Sequence, residues 1–384
     1  MYMNIIVAID SFKGSITSLE ATEVIKNALP QHNIIGIPVA DGGEGTVTAF
    51  VQALKGEMIT ETVPGPKGQP IQASYGWIDS DQTAIIEVAQ ASGITLIESS
   101  DLNPYCNSSF GTGAQIVSAL NRGAKKIIIG LGGSATIDCG KGIMEALGVK
   151  FLNKYGHTVP TFPHSIDQVT EIDTSKLDPR LANVEFIIAS DVTNPLLGKN
   201  GATFIFGAQK GLHTSQMNDY DEMIKRFADT INQSLATNYI DHPGAGAAGG
   251  IGFMLYSFLG ATYQSGIELL MKECDLEASI EKANLLITGE GRFDSQSLAG
   301  KLPIGVSLIA KKHNVPTIVF AGSIEDGLTE LTDYGIIATI PIVSSVMTLE
   351  DAMTNASSLL HLAVKRTFNL IDNLSTRDTS AHTQ

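Results

Sequence analysis

The sequence predicts an α/β protein with parallel sheets, and two observations carry that prediction. Short apolar runs alternate with segments whose apolar residues recur at helical spacing. Most of the strand-like runs also end in a loop rich in Gly, Asp, Glu, Ser and Thr that leads into a helix. Parallel neighbours need crossover connections, and strand-loop-helix alternation supplies them.

The elements follow in order. Asn4–Ile9 reads as a buried strand, followed by "DSFKGS" and a helix over Ser18–Leu29, which Thr17 and Glu20 open with a capping-box pattern. A second strand, Ile34–Val39, leads through "ADGGEGT" to a helix over Val47–Leu54, and "TAIIEVA" is a further strand. Helix Thr112–Asn121 precedes strand Lys126–Ile129, the loop "GLGGSATIDCGKG" and the helical "IMEALG". "VEFIIAS" is a strand that ends at "DVTNPL", "TFIFG" is short and β-like, and a long amphipathic helix covers Gln216–Leu235. "HPGAGAAGGIG" then leads to a helix over Phe253–Leu259. Strict alternation returns with strand Leu285–Thr288, loop "GEGRFDSQSLAGK", helix Ile304–Lys312, strand Thr317–Phe320 and loop "AGS"; a final helix covers Leu349–Leu370. The middle is less regular and holds the turn cluster "PGPKGQP". An inserted domain is therefore expected, residues 61–273, within a domain made of residues 1–60 and 274–384.

Composition narrows the function classes. The chain has 384 residues, 43% hydrophobic and 17% charged, with a formal net charge of -15. That balance opposes binding to nucleic acid or to anionic membranes, both of which select basic surfaces. Three cysteines without CxxC spacing read as reduced thiols, and no basic region precedes the first apolar run. The uncharged stretch Pro243–Ile267 is too rich in glycine to read as a membrane helix. A soluble cytoplasmic protein is expected, acting on small molecules.

Ligands of open α/β sheets bind outside the carboxyl ends of the strands, where glycines and helix starts offer amides to anions. Six loops here have that character: "DSFKGS", "DGGEG", "GLGGSAT", "SDVTNP", "GEGRFD" and "AGS". Together they point to a polyphosphate site. No GxxxxGK[ST] occurs, so the chain is not a P-loop protein. Gly244, Gly246 and Gly249 match GxGxxG without a preceding strand. Gly130, Gly132 and Ala135 follow a strand, but without the acid about 20 residues on that a dinucleotide fold uses. An NAD(P)-dependent oxidoreductase and a non-catalytic binder of anionic metabolites stand as alternatives. The eight histidines are scattered and no GxSxG is present, which argues against a histidine-held metal and a serine hydrolase. The strand-end acids Asp10, Asp41, Glu44, Asp138, Asp191, Glu290 and Asp294 suit phosphoryl transfer, which needs amides and a lysine for phosphates, oxygen ligands for Mg²⁺ and an acceptor for a hydroxyl proton.

The segments "AIDSFKGS", "PVADGGEGT", "GLGGSATIDCGKG", "SDVTNPLLGKNGA", "PGAGAAGGIG" and "ITGEGRFDSQSLAGK" resemble, in the same order from Ile5 to about Gly322, the signature segments of the bacterial type 1 glycerate kinases. The resemblance implies ATP- and Mg²⁺-dependent phosphorylation of D-glycerate, generally at the 2-hydroxyl to give 2-phosphoglycerate. It also implies two α/β domains, one flavodoxin-like and one inserted, with the site in the cleft between them. The chain departs from the family pattern at Ile137 and Cys139, where Asn and Gly are typical.

Roles follow from that frame. Lys13, with the amides of Gly14 and Ser15, would hold phosphate oxygens. Asp191 directly follows a buried strand and is the first choice of base, with Asn194 in its loop; Asp41 and Glu44 are alternatives for the base or for Mg²⁺. Arg292 would clamp the glycerate carboxylate through its planar fork, flanked by Glu290 and Asp294, which equally fit a structural ion pair. Gly132, Gly133, Ser134, Thr136 and Lys301 would meet the nucleotide. A monomer or a homodimer fits the sequence equally well.

Overall fold

Strand β1 (Asn4–Ile9) is apolar on both faces and is buried from Ile5 to Ile9, as a strand covered on both sides must be. Beside it lies β2 (Asn33–Gly36), paired in parallel. The helix between them, Ser18–Ala28, opens with the expected capping box of Thr17 and Glu20. The computed structural model describes residues 2–12, 14–37, 45–295, 297–299, 302–329 and 331–381. The chain divides into two compact units, Met1–Ala40 with Leu270–Gln384, and Asp41–Leu269.

The continuous unit opens with helix Thr46–Ala53 and a hairpin of β3 (Glu57–Pro64) and β4 (Pro70–Ile78), which turns through "GPKGQ". Next come β5 (Thr83–Glu87), β6 (Lys126–Gly130), a small antiparallel pair of β7 (Lys150–Leu152) and β8 (Glu171–Asp173), then β9 (Glu185–Ala189) and β10 (Thr262–Gln264). Its six-stranded sheet runs β10-β9-β6-β5-β4-β3, parallel from β10 to β5 and antiparallel through the hairpin. Two expectations change here. Helix Thr46–Ala53, which the strand-helix rhythm places with the first sixty residues, belongs to this unit, and its Val47 amide donates to the Glu87 carboxylate at the end of β5 (2.7 Å). "TFIFG" lies in a short helix, Ala202–Phe206, not a strand. Its β-branched and aromatic residues favour a strand locally, but packing against the helix Ala247–Leu259 overrides that preference.

The chain returns to the first unit with β11 (Leu285–Phe293), β12 (Thr317–Ile324) and β13 (Ile336–Pro341). The order β13-β12-β11-β1-β2 is the flavodoxin-like arrangement, 2-1-3-4-5 when strands are counted within the unit. Strand order reverses between β1 and β11, which pair from Ile5↔Leu285 to Ile9↔Gly289. Both β11 and β12 run past the ends expected at Thr288 and Phe320: Glu290 pairs Ala321, Arg292 pairs Ser323 and Phe293 pairs Ile324. "GEGRF" and "AGS" are therefore strand rather than loop. Gly289 allows the close passage, since a Cβ there would stand 1.9 Å from the Phe320 carbonyl oxygen. The last helix divides at Asn355 into Leu349–Thr354 and Ala356–Ala381. Among the described residues no helix is long and apolar enough to cross a membrane.

Gly289→Ala should destabilise the discontinuous unit by about 2 kcal/mol, because the added methyl meets fixed backbone. Urea unfolding followed by circular dichroism tests this; a parent-like midpoint would show that β11 and β12 can separate without loss.

Candidate active site

In the continuous unit, the loop after β6 is tied down on several sides. The Gly133 carbonyl accepts from the Ile94 amide (2.8 Å), and the Ala135 amide donates to the Ser92 carbonyl (2.8 Å). Farther along, the Ile137 carbonyl accepts from the Tyr220 hydroxyl (2.9 Å), and the Cys139 amide donates to the Gly249 carbonyl (3.1 Å). Gly133 turns at φ +70°, and Cys139 takes a left-handed φ of +51°, a conformation that favours glycine. Ile137 is fully buried in the unit's core.

Asp138 organises the loop from within. Its fully buried carboxylate accepts from the Ser109 amide and hydroxyl (both 2.8 Å), the Gly140 amide (2.9 Å) and the Gly142 amide (3.3 Å). It thereby joins the starts of helices Phe110–Asn121 and Lys141–Ala146 to the loop. Its place among strand-end acids gave no sign of this inward role. The neighbouring Lys141 is equally committed: its buried ammonium donates to Glu145 (2.5 Å) and to the Pro160 carbonyl (2.8 Å).

Sequence reasoning passed over Lys210, in "GAQKG". It is 2% exposed, and its ammonium donates to the Ser134 hydroxyl (2.7 Å) and the Thr136 carbonyl (2.8 Å). Burial pulls its pKa down from the ordinary 10.5 to about 7, against the opposing influence of Asp138. The Thr136 hydroxyl is buried without a hydrogen-bond partner among the described residues. Beside this cluster lies a cavity of about 200 Å³, lined by Gly132, Gly133, Ser134, Val192, Phe206 and Lys210 among others. Three of the expected nucleotide-binding residues thus share one cavity, and Thr136 is joined to it through Lys210.

Asp191 is exposed just after the buried Ser190 at the end of β9. Burial and, to a lesser degree, Asp191 push the Tyr263 hydroxyl up to about 12. The Asn194 side-chain amide is spent on the Asn200 carbonyl (2.8 Å), and its own carbonyl accepts from Gly246 (3.0 Å), so this residue closes its loop. Glu87 is another strand-end acid that sequence reasoning missed, although "AIIEV" shows the apolar run ending in a carboxylate that marked the others.

In the discontinuous unit, Glu290 and Arg292 are alternate residues near the end of β11 and share a face, and Asp294 directly follows the strand. Glu290 is buried, whereas the Arg292 side chain is 72% exposed and holds its Nε 3.2 Å from Asp294 Oδ2. Such an exposed pair is weak and can be traded for another carboxylate. Asp294 also accepts from the Ser297 amide (3.2 Å). The Ser15 hydroxyl donates to the Met353 carbonyl (2.6 Å). Lys13, Asp41, Glu44 and Lys301 lie outside the described residues. Among the described residues no three His, Cys, Asp or Glu side chains converge on one point.

Two outcomes are expected. Asp138→Ala leaves buried amides unsatisfied and should cost about 3 kcal/mol of unfolding free energy; a variant as stable as the parent in urea would show the carboxylate to be dispensable. Lys210 gives a pH dependence. Below about pH 7 both folded and unfolded chains carry its proton; between about 7 and 10.5 only the unfolded chain does. Its contribution therefore makes stability rise with pH across that window, by at most ~1.4 kcal/mol per pH unit. Lys210→Met should remove the rise between about pH 7 and 9, and an equally steep climb in the variant would mean that the folded lysine stays charged.

Comparison with known proteins agrees with this architecture. The family model described as "Glycerate kinase family" matches residues 5–372. A Bacillus subtilis (strain 168) protein named glycerate kinase is 42% identical over 362 residues, 93% of this chain and 95% of its own. An Escherichia coli (strain K12) protein named glycerate 2-kinase is 42% identical over 358 residues, 92% and 94% of the two chains. A crystal structure of a protein provisionally described as glycerate kinase 2, from Salmonella typhimurium LT2, matches with a TM-score of 0.86 at 39% identity, covering 98% of this chain and 100% of that one. Similarity over nearly the whole length, on a fold whose strand-end loops carry the signature segments, leads to one conclusion: the chain belongs to the glycerate kinase family.

Proposed function

We propose that this protein transfers the γ-phosphoryl group of ATP to D-glycerate with Mg²⁺, at the 2-hydroxyl, to give 2-phosphoglycerate. The observation that carries the reading is the tied-down loop after β6, whose Gly132–Ser134 stretch borders a cavity next to a buried lysine, in a chain of the glycerate kinase family. The name glycerate 2-kinase for the Escherichia coli relative supports the position of transfer.

The roles divide as follows. Gly132, Gly133, Ser134 and Thr136 receive nucleotide phosphates with Lys301, and Lys13 meets the transferred group. Asp191, exposed at the end of β9, orients the substrate hydroxyl and accepts its proton. Arg292 exchanges its exposed contact with Asp294 for the glycerate carboxylate, with Glu290 setting the strand end beneath it and Ser15 and Asn194 shaping the substrate loops. Asp41 or Glu44 would hold Mg²⁺ together with the phosphates, and the ion would there supply neutralisation of charge on the transferring group. The expected setting is the cytoplasm, as a monomer or a homodimer.

Purified protein with ATP, Mg²⁺ and D-glycerate should form ADP and 2-phosphoglycerate, read by phosphorus NMR against a glycerate-free control. A 3-phosphoglycerate signal would reverse the regiochemistry, and the absence of both would remove the activity. Asp191→Asn should lower kcat about 10²- to 10⁴-fold in a fully folded protein, because the exposed side chain contributes little to packing. Unchanged kcat would reassign the base.

A further inference from the structure

We infer that Lys210 is the cation of an anion-binding pocket in the continuous unit, and that the pocket takes an acid group, phosphate or carboxylate, of one of the two substrates. This rests on the proposed kinase reading for the identity of the substrates, but not for the existence of the site.

The argument starts from what a buried lysine needs. An ammonium has three donors, and among the described residues those of Lys210 reach two oxygens, the Ser134 hydroxyl and the Thr136 carbonyl. Both acceptors are neutral, so neither balances the charge. Among the described residues Asp138 is the carboxylate whose field acts on it, and that carboxylate is already surrounded by four donors of its own. A purely structural lysine would be expected to have its charge matched, as Lys141 is by Glu145. Lys210 instead lines a cavity together with Gly132, Gly133 and Ser134, where the absence of bulky side chains leaves backbone within reach of a small anion. The volume, about 200 Å³, is several times the ~30 Å³ share of one water. It suits an acid group and the atoms next to it, rather than a whole nucleotide. Val192, Ile94 and Phe206 supply apolar wall, which strengthens any charge pairing inside. The lowered pKa agrees: with the pocket empty the lysine loses its proton easily, and an arriving anion would restore it.

The test is calorimetric titration of the intact protein with three probes in turn: inorganic phosphate, ATP and D-glycerate, at about pH 8.5 in two buffers of different ionisation heat. Under those conditions Lys210 is mostly neutral, while Cys139 and Tyr220, which share the surroundings of Asp138, are held protonated by burial. Binding at the pocket should take up close to one proton. Lys210→Met should weaken at least one probe by about tenfold to a hundredfold and abolish that uptake. Gln209→Glu keeps the lysine and alters only an exposed residue of the lining, so it folds whatever happens to Lys210→Met; its added charge should weaken the same probe roughly threefold or more at low salt. Loss of ATP and phosphate binding with glycerate intact assigns the pocket to a nucleotide phosphate, and the reverse assigns it to the substrate carboxylate; either supports the inference. Parent-like affinity for all three probes in Gln209→Glu and in folded Lys210→Met overturns it, as does a parent that binds none of them. A protein that binds phosphate here but never phosphorylates glycerate would retain the pocket and lose the kinase reading.

Discussion

Much of the continuous unit is arranged around one carboxylate. Asp138 is removed from water and accepts four hydrogen bonds, from two helix starts and from its own loop. Burying a charge is costly unless donors replace the lost water, and each donor that does so is fixed in place by the exchange. The glycines of the loop follow from this: amides can turn inward toward Asp138 only where the backbone is unhindered. Ser134, one short stretch upstream, is presented to the cavity, and the Thr136 carbonyl to Lys210, because the loop end beyond them is anchored. Lys210 completes the set from another element, placed by the short turn between Gly207 and Gly211.

The discontinuous unit solves a different problem. Its strand order reverses between β1 and β11, the kind of position at which open α/β sheets generally take ligands, at the carboxyl ends of the strands. Asp10 to Ser15 follow one of these strands and Asp294 to Ala299 the other. The two strands differ in how they stop. β1 yields to polar residues after Ile9, while β11 continues beside β12 as far as Phe293 and carries Arg292 outward on a paired backbone. A guanidinium mounted on a strand is better oriented than one on a loop, even though its contact with Asp294 is solvent-exposed.

The apolar runs, the capping box at Thr17 and the loop after β6 were legible because each depends on residues close together in the chain. Periodicity reports which side chains need burial, and glycine reports where the backbone turns. What escaped notice depended on partners far away in sequence. "GEGRF" looks like a loop by composition, and only the neighbouring β12 makes it a strand. "TFIFG" looks like a strand, and only helix Ala247–Leu259 makes it helical. Lys210 resembles any surface lysine in "GAQKG"; its importance comes from Ser134 and Thr136, more than seventy positions earlier. Glu87 was within reach of the rule that found Asp191, an apolar run closed by an acid, and was missed because a helix follows it without a glycine-rich loop.

The pairing of β1 with β11 has a consequence for the way the chain is made. Ile5 meets Leu285, and Asn4 meets Asn284 across 280 positions, so the central pair of the first unit cannot form until most of the protein has been synthesised. By then the residues from Asp41 to Leu269 have emerged with a complete sheet and a core of their own. The unit that holds the first residue is thus the last to close. Throughout that interval β1, with apolar side chains on both faces, has an open edge where its partner belongs, which makes it the segment of the nascent chain most in need of shelter from pairing with other molecules.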